Sequence, residues 1–282
     1  MGSIMHKTRN IIITGVAILV IIVVAFFSFH STKVSKNVTQ QTIRLGSSPG
    51  PYSDLFIKGI KPILEKQGYK VTNKSFANLL NADIALSENQ IDLNVDQHTA
   101  YLNNFNKEKK TNLTALTTIP TVPTGIYPAN KKSLNDVSTG DSIAIPNDPA
   151  NAARAYNLLV KAGWITLKKG TTLVNATTKD ISDNKYNLKI SELDSSTIPR
   201  TIKEFDYVIL PGSVAYSAKI STKTILLAEN IRNEYQLVAT TNKQNVNKKW
   251  AKAVKKAYQS KEFKKYLEAH NKDNYWVTDE HQ

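Results

Sequence analysis

Ile145-Pro146-Asn147-Asp148-Pro149-Ala150-Asn151-Ala152-Ala153-Arg154 reads as the end of a buried strand, a tight polar turn and the opening of a helix. Asp148 is the expected N-cap and Pro149 the first helical residue. Such a junction aims unpaired backbone N–H groups at whatever lies ahead of the helix, an arrangement that suits an anion or a carboxylate. Arg154 lies about one turn further in and offers a bidentate, charge-assisted grip on the same group. A plainly capped helix with a solvated arginine fits the motif equally well, so the rest of the chain has to decide.

Working outward, strand and helix patterns alternate. On the N-terminal side, strands are expected over 42–45, 69–76, 91–95 and 113–119, and helices over 54–67, 78–88 and 99–106. The strand over 91–95 delivers Asp96, Gln97 and His98 at its carboxyl end. Residues 120–128 are punctuated by Pro120, Pro123 and Pro128 and read as an extended crossing. A second α/β run follows, with strands over 142–145, 188–193 and 207–210 and helices over 149–162 and 197–204. A strand over 235–240 leads back to C-terminal helices over 247–260 and 261–270. Short alternation of this kind argues for parallel or mixed sheets covered by helices. The economical architecture is an α/β fold of two lobes: 43–121 with 241–282 in the first, 122–240 in the second. Ligands bind such folds beyond the carboxyl ends of strands and between lobes.

The first residues set the compartment. His6, Lys7 and Arg9 precede an apolar run from Ile11 to Phe29, and about twenty apolar residues suffice to span a bilayer with the basic flank held in the cytoplasm. A cleavable signal peptide is the competing reading, but residues 24–29 offer no convincing small-x-small cleavage site. The chain has no cysteine, so it lacks the thiol that carries a lipoprotein's lipid. The expectation is a membrane anchor or signal segment with its tether over 1–41 and the globular part outside the cell.

Lysine and arginine number 37 against 23 acidic residues, for a net charge of +14. Nucleic-acid binding would call for clustered Arg and Lys interleaved with aromatics. Here the lysines are scattered over helix faces, as at Lys248, Lys252, Lys256 and Lys264, which suits a solvated surface near an anionic membrane or wall. No nucleic acid is expected as a partner.

Several blocks then carry a resemblance. Gly46, Ala85-Leu86-Ser87 ahead of Ile91-Asp92-Leu93-Asn94, Gln97-His98-Thr99-Ala100-Tyr101-Leu102, residues 146–151 with Arg154, and Leu193 through Pro199-Arg200 follow one another as in the NlpA/MetQ-type family of solute-binding proteins. The chain from about Thr42 onward resembles that family. The resemblance implies a periplasmic-binding-protein type II-like fold with a ligand cleft between the lobes. It implies an extracytoplasmic component of an ABC importer, with a permease and an ATPase as membrane partners and an amino acid or short peptide as ligand. Arg154 would hold the ligand carboxylate beside Asn147 and Asn151, and His98 and Tyr101 would line the facing lobe.

The chain departs from the family's pattern in three places. Asp96 stands where relatives carry an aromatic before Gln-His, Pro211-Gly212-Ser213-Val214-Ala215-Tyr216 replaces an asparagine-containing block, and Gln236 takes the place of an asparagine in the returning strand. A buried carboxylate does nothing for a thioether, so Asp96 shifts the expected ligand from methionine toward a basic amino acid or a peptide amino terminus. For Asp96 itself the alternatives are pairing with His98 or turning to solvent.

An enzyme is not expected. Asp96, His98 and Ser213 or Ser217 can be drawn as a triad, but no G-x-S-x-G elbow is present. The histidines at 6, 30, 98, 270 and 281 are too scattered for a metal site, and no cofactor is expected. A monomer is. The alternative function is a cell-surface adhesin or sensor that keeps the fold without transport.

Overall fold

Leu93–His98 and Tyr207–Leu210 are buried at every position, the pattern of central strands with helices on both faces. Each belongs to a different sheet. The computed structural model describes residues 41–271 and 275–278. The expected membrane segment lies outside them, and among the described residues no helix is long and apolar enough to cross a membrane.

The strands, in chain order, are β1 (Thr42–Ser47), β2 (Lys70–Ser75), β3 (Leu93–His98), β4 (Leu113–Thr118), β5 (Gly125–Pro128), β6 (Ser142–Pro146), β7 (Ile165–Leu167), β8 (Ile181–Asn184), β9 (Lys189–Leu193), β10 (Tyr207–Leu210), β11 (Leu227–Ala228) and β12 (Leu237–Asn242). One five-stranded sheet has the order β2-β1-β3-β12-β4 and a second the order β11-β5-β10-β6-β9. In the first, β1 runs parallel to β2 and β3 while β12 is antiparallel to β3 and β4. In the second, β6 is parallel to β9 and β10, and β5 is antiparallel to β10 and β11.

The helices are α1, which begins as Pro51–Leu55, passes through a π segment at Phe56–Ile60 and ends as Lys61–Lys66; α2 (Leu79–Ser87); α3 (Thr99–Lys109); α4 (Pro149–Lys161); α5 (Gly212–Ser217); α6 (Lys249–Tyr258); and α7 (Lys261–His270). Ile43, Leu45, Phe56, Leu64, Trp250 and Val254 form the core on one face of the first sheet, and Leu86, Ile91, Leu102 and Phe105 that on the other. The second sheet is covered by a cluster around Tyr156, Leu159, Trp164 and Tyr207 on one side and around Tyr127, Val208 and Ala215 on the other.

Several expectations need correction. No α-helix spans 197–204; Ile198–Arg200 and Ile202–Glu204 are 3-10 turns, because Pro199 and neighbouring β-branched residues disfavour a continuous helix. The first helix opens at Pro51 rather than at Asp54, since proline's fixed φ suits the first turn. Tyr235 closes a 3-10 turn, Asn233–Tyr235, and the return strand begins at Leu237. That strand belongs to the first sheet, so the chain re-enters that sheet ahead of the expected boundary at 241. The β7–β8 hairpin and α5 carry no strong period and were not foreseen.

The outgoing and returning crossings are zipped together. Ile119 N–H donates to Leu237 O at 2.9 Å, Leu237 N–H to Thr121 Oγ1 at 3.0 Å, and Glu229 N–H to Thr124 O at 3.0 Å. Helix α5 presses on the outgoing crossing, and only glycine permits it. A Cβ at Gly212 would stand 2.3 Å from Val122 Cγ1 and 2.6 Å from Val122 Cβ. We expect Gly212→Ala to lower stability by about 1–3 kcal/mol, the usual range for overpacking. Equilibrium urea unfolding measures it, and an unchanged midpoint would show that the crossing yields freely.

Candidate functional site

The junction between β6 and α4 forms as its residues dictate. Asp148 is the N-cap, its Oδ1 accepting from Asn151 N–H at 3.0 Å, and Pro149 opens the helix. The Asn151 side-chain amide donates to both carboxylate oxygens of Asp148, at 3.1 and 3.0 Å. That orients Asn151 Oδ1 outward as an acceptor, and two donors converge on it: Arg154 Nη1 at 2.9 Å and His98 Nε2 at 3.3 Å. His98 ends β3 in the first sheet and Asn151 starts the helix of the second, so the amide joins the two.

His98 is itself an N-cap. Its Nδ1 accepts from Tyr101 N–H at 3.1 Å at the start of α3. One ring nitrogen accepts and the other faces an oxygen that can only accept, which assigns the neutral Nε2–H tautomer. Burial, reinforced by the Arg154 charge, pushes the His98 pKa down to about 3.

Arg154 is 3% exposed. Its Nε donates to Glu229 Oε2 at 3.1 Å, and its Nη2 donates to Glu229 Oε1. The fork therefore closes on a carboxylate of the chain itself, which also accepts from Thr124 N–H at 2.7 Å. Burial opposes the guanidinium charge, but Glu229 outweighs it and holds the arginine protonated. The Tyr235 ring lies under the guanidinium at 5.1 Å and meets His98 edge-on at 5.6 Å, a cation–π contact in a desolvated place. Among the described residues, three of the five guanidinium N–H groups are engaged, leaving one on each terminal nitrogen for a further acceptor. The Tyr235 hydroxyl and Thr124 Oγ1 are buried beside this cluster without a partner among the described residues.

Asp96 is buried and bonded to two serines rather than to His98. Its Oδ2 accepts from Ser48 N–H at 2.8 Å and Ser48 Oγ at 3.0 Å, and its Oδ1 from Ser53 N–H at 3.1 Å and Ser53 Oγ at 2.8 Å. Ser53 lies in the first turn of α1, so Asp96 is the anion at that helix's N-terminus. Burial raises its pKa against the pull of these bonds. Its carboxylate ties the loop after β1 and the start of α1 to β3 rather than facing solvent or His98.

The remaining expected residues are placed plainly. Asn147 is exposed, its N–H bonded to Leu193 O at 2.9 Å. Tyr101 is half-buried with its ring 6.3 Å from that of His98. Gln236 is half-buried, and its carbonyl accepts from Thr99 N–H at 3.2 Å at the head of α3. Thus Arg154, Asn151 and His98 come together, with Tyr101 and Gln236 around the same helix start. Glu229, Tyr235 and Thr124 were missed. No motif marks them; they reach the site through the returning and outgoing crossings, and an acid in an otherwise unremarkable segment such as Leu226–Asn230 carries no signal until its partner is placed.

Two α/β sheets are thus joined by paired crossings, with a buried arginine and a helix start between them. The chain belongs to the NlpA lipoprotein family, which it matches over residues 43–277. A D-methionine-binding lipoprotein MetQ of Salmonella typhi is 31% identical over 223 residues, 78% of this chain and 82% of that protein. A nutrient-binding protein from Burkholderia cenocepacia, solved bound to methionine, is 32% identical with a TM-score of 0.78, covering 84% of this chain and 99% of that one. A lipoprotein structure from Ruminococcus gnavus is 37% identical with a TM-score of 0.77, covering 81% and 96%.

The neutral His98 has a consequence in acid. Unfolding returns the imidazole to its ordinary value near 6.5, so between about 6.5 and 3 the unfolded chain binds the extra proton. The histidine's contribution is complete above about pH 6.5 and declines as pH falls toward 3. We expect the His98 ring to show the Nε2–H tautomer without titrating from pH 8 to 5 in nitrogen-resolved NMR. A midpoint inside that interval would refute the burial argument.

Proposed function

We propose that this chain is the extracytoplasmic solute-binding component of an ABC importer, taking an amino acid or a short peptide between two lobes built on the two sheets. The observation that carries the reading is Arg154, a buried guanidinium beside a helix start with two N–H groups unengaged among the described residues. In this reading the ligand carboxylate meets those N–H groups, Asn151 and Asn147, while its ammonium faces the Glu229 side of the pair. Arg154 and Glu229 together complement a zwitterion better than a bare anion, because the arginine charge is already balanced. His98, Tyr101 and Gln236 line the opposite side, and Asp96 acts at one remove by holding Ser48 and Ser53.

The relatives support the class: named homologues bind methionine. The uncleaved anchor, with the body outside the membrane, belongs to the same proposal, as does delivery of the solute to a permease by closing of the lobes.

A thermal-shift screen of the full chain across the amino acids and simple dipeptides tests it. A ligand present at 100 times its Kd should add about 2.7 kcal/mol to stability. Arg154→Ala should weaken binding by about 2–5 kcal/mol, and lysine should not restore it, for want of the fork. Because Arg154→Ala also strands Glu229 in a buried place, at about 3–5 kcal/mol in stability, the cleaner variant is Arg154→Met with Glu229→Gln, which removes both charges. It should stay folded and respond to no zwitterion. If no amino acid or dipeptide stabilises the wild-type chain, the reading is wrong.

A further inference from the structure

On the face of the first sheet opposite α1, a second acid is buried with no cation bonded to it among the described residues. Asp83, on α2, is wholly buried. Its Oδ1 accepts from the Gln97 side-chain Nε2 at 2.6 Å. The other oxygen of each group, Asp83 Oδ2 and Gln97 Oε1, is also buried and has no donor among the described residues. The two groups are thus joined by one bond, and each keeps one buried acceptor that no donor meets among the described residues. Burying either one unsatisfied is costly. One hydrogen atom between them removes both costs.

We propose that Asp83 is carried as the neutral acid, with Oδ2–H donating to Gln97 Oε1 to close a cyclic acid–amide pair. The pair locks Gln97, which sits between Asp96 and His98 in β3, so a proton on α2 positions the strand that presents both. Asp83 acts here through other residues, as a positioning residue.

The surroundings agree. Burial drives the Asp83 carboxyl well above the ordinary carboxylate range; the Gln97 amide opposes this, and the charge of Asp96 adds to it. From α3 the facing titratable group is Tyr101, whose pKa burial raises, so it stays neutral. On β3 the flanking titratable groups are Asp96 and the neutral His98. From β1, Arg44 is committed to Asp92 and to the carbonyls of Asn89 and Gln90. Strand β12 carries no titratable residue. The Gln97 amide gains a second restraint from Asn94 Oδ1 at 3.5 Å, and Asn94 donates to Gly46 O at 3.1 Å.

The sign of the pH dependence follows. In the unfolded chain Asp83 ionises near 3.9, whereas the folded chain keeps the proton to higher pH. Above about pH 4 the native state binds one more proton than the unfolded state, so this group's contribution is greatest in acid and falls as pH rises toward the native value. Asparagine is the neutral isostere: its Nδ2–H replaces the acid O–H without titrating. In equilibrium urea unfolding of the full chain, we expect the folding constant of Asp83→Asn relative to wild type to rise with pH between 5 and 8, approaching tenfold per pH unit. Asp83→Ala, with no donor, should be less stable than Asp83→Asn throughout. The carboxyl carbon of Asp83 in the wild-type chain, observed by carbon NMR, should keep the chemical shift of a protonated acid at pH 7. That measurement stands even if a variant fails to fold. A carboxylate shift at pH 7, or an Asn-to-wild-type ratio that stays flat from pH 5 to 8, overturns the proposal.

Discussion

Arg154 brings a full positive charge into a place sealed from water, and the groups around it are arranged to receive that charge. Glu229 closes on it from the returning crossing, Asn151 takes a third N–H, and Tyr235 lies beneath the guanidinium. Breaking such a pair leaves a buried charge without compensation, which is worth several kcal/mol. The cluster therefore joins elements distant in the chain: the start of α4, the segment after β11 and the end of β3. Its amide hub, Asn151, is oriented by Asp148 through the same N-cap geometry that starts the helix.

The buried acids meet the cost of desolvation in different ways. Glu229 is paired with a guanidinium. Asp148 caps its own helix, and Asp96 caps another helix through Ser48 and Ser53. Asp83 has an amide and no cation bonded to it among the described residues, and a proton neutralises it. Helix N-termini and hydroxyls supply partial positive charge where no cation is present. Among the lysines, Lys131 is drawn in to pair with the buried Asp141 at 2.7 Å.

Two residues outside the arginine cluster have a clear structural role. Asp96 is an internal clamp on the loop after β1 and the start of α1, through Ser48 and Ser53. Gly212 allows α5 to approach Val122 and Pro123. Both residues act on the crossings and helix starts around the arginine cluster rather than on the arginine itself.

The alternation of strands and helices, the proline-marked crossing and the Asp148–Pro149 helix start were all legible in the chain, because hydrophobic period, capping and proline geometry are local effects. So was Arg154, by its distance from that helix start. Local patterns could not show that Asp96 belongs to Ser48 and Ser53, 48 and 43 residues away, or that Glu229 answers Arg154 from 75 residues away. Nor could they show that residues 197–204 would break into 3-10 turns. The sequence by itself determined the elements and the identity of the charge to be buried. Only the tertiary structure decided which groups neutralise it, because a buried charge is balanced by what the fold brings within hydrogen-bond reach, and that distance is unrelated to separation along the chain.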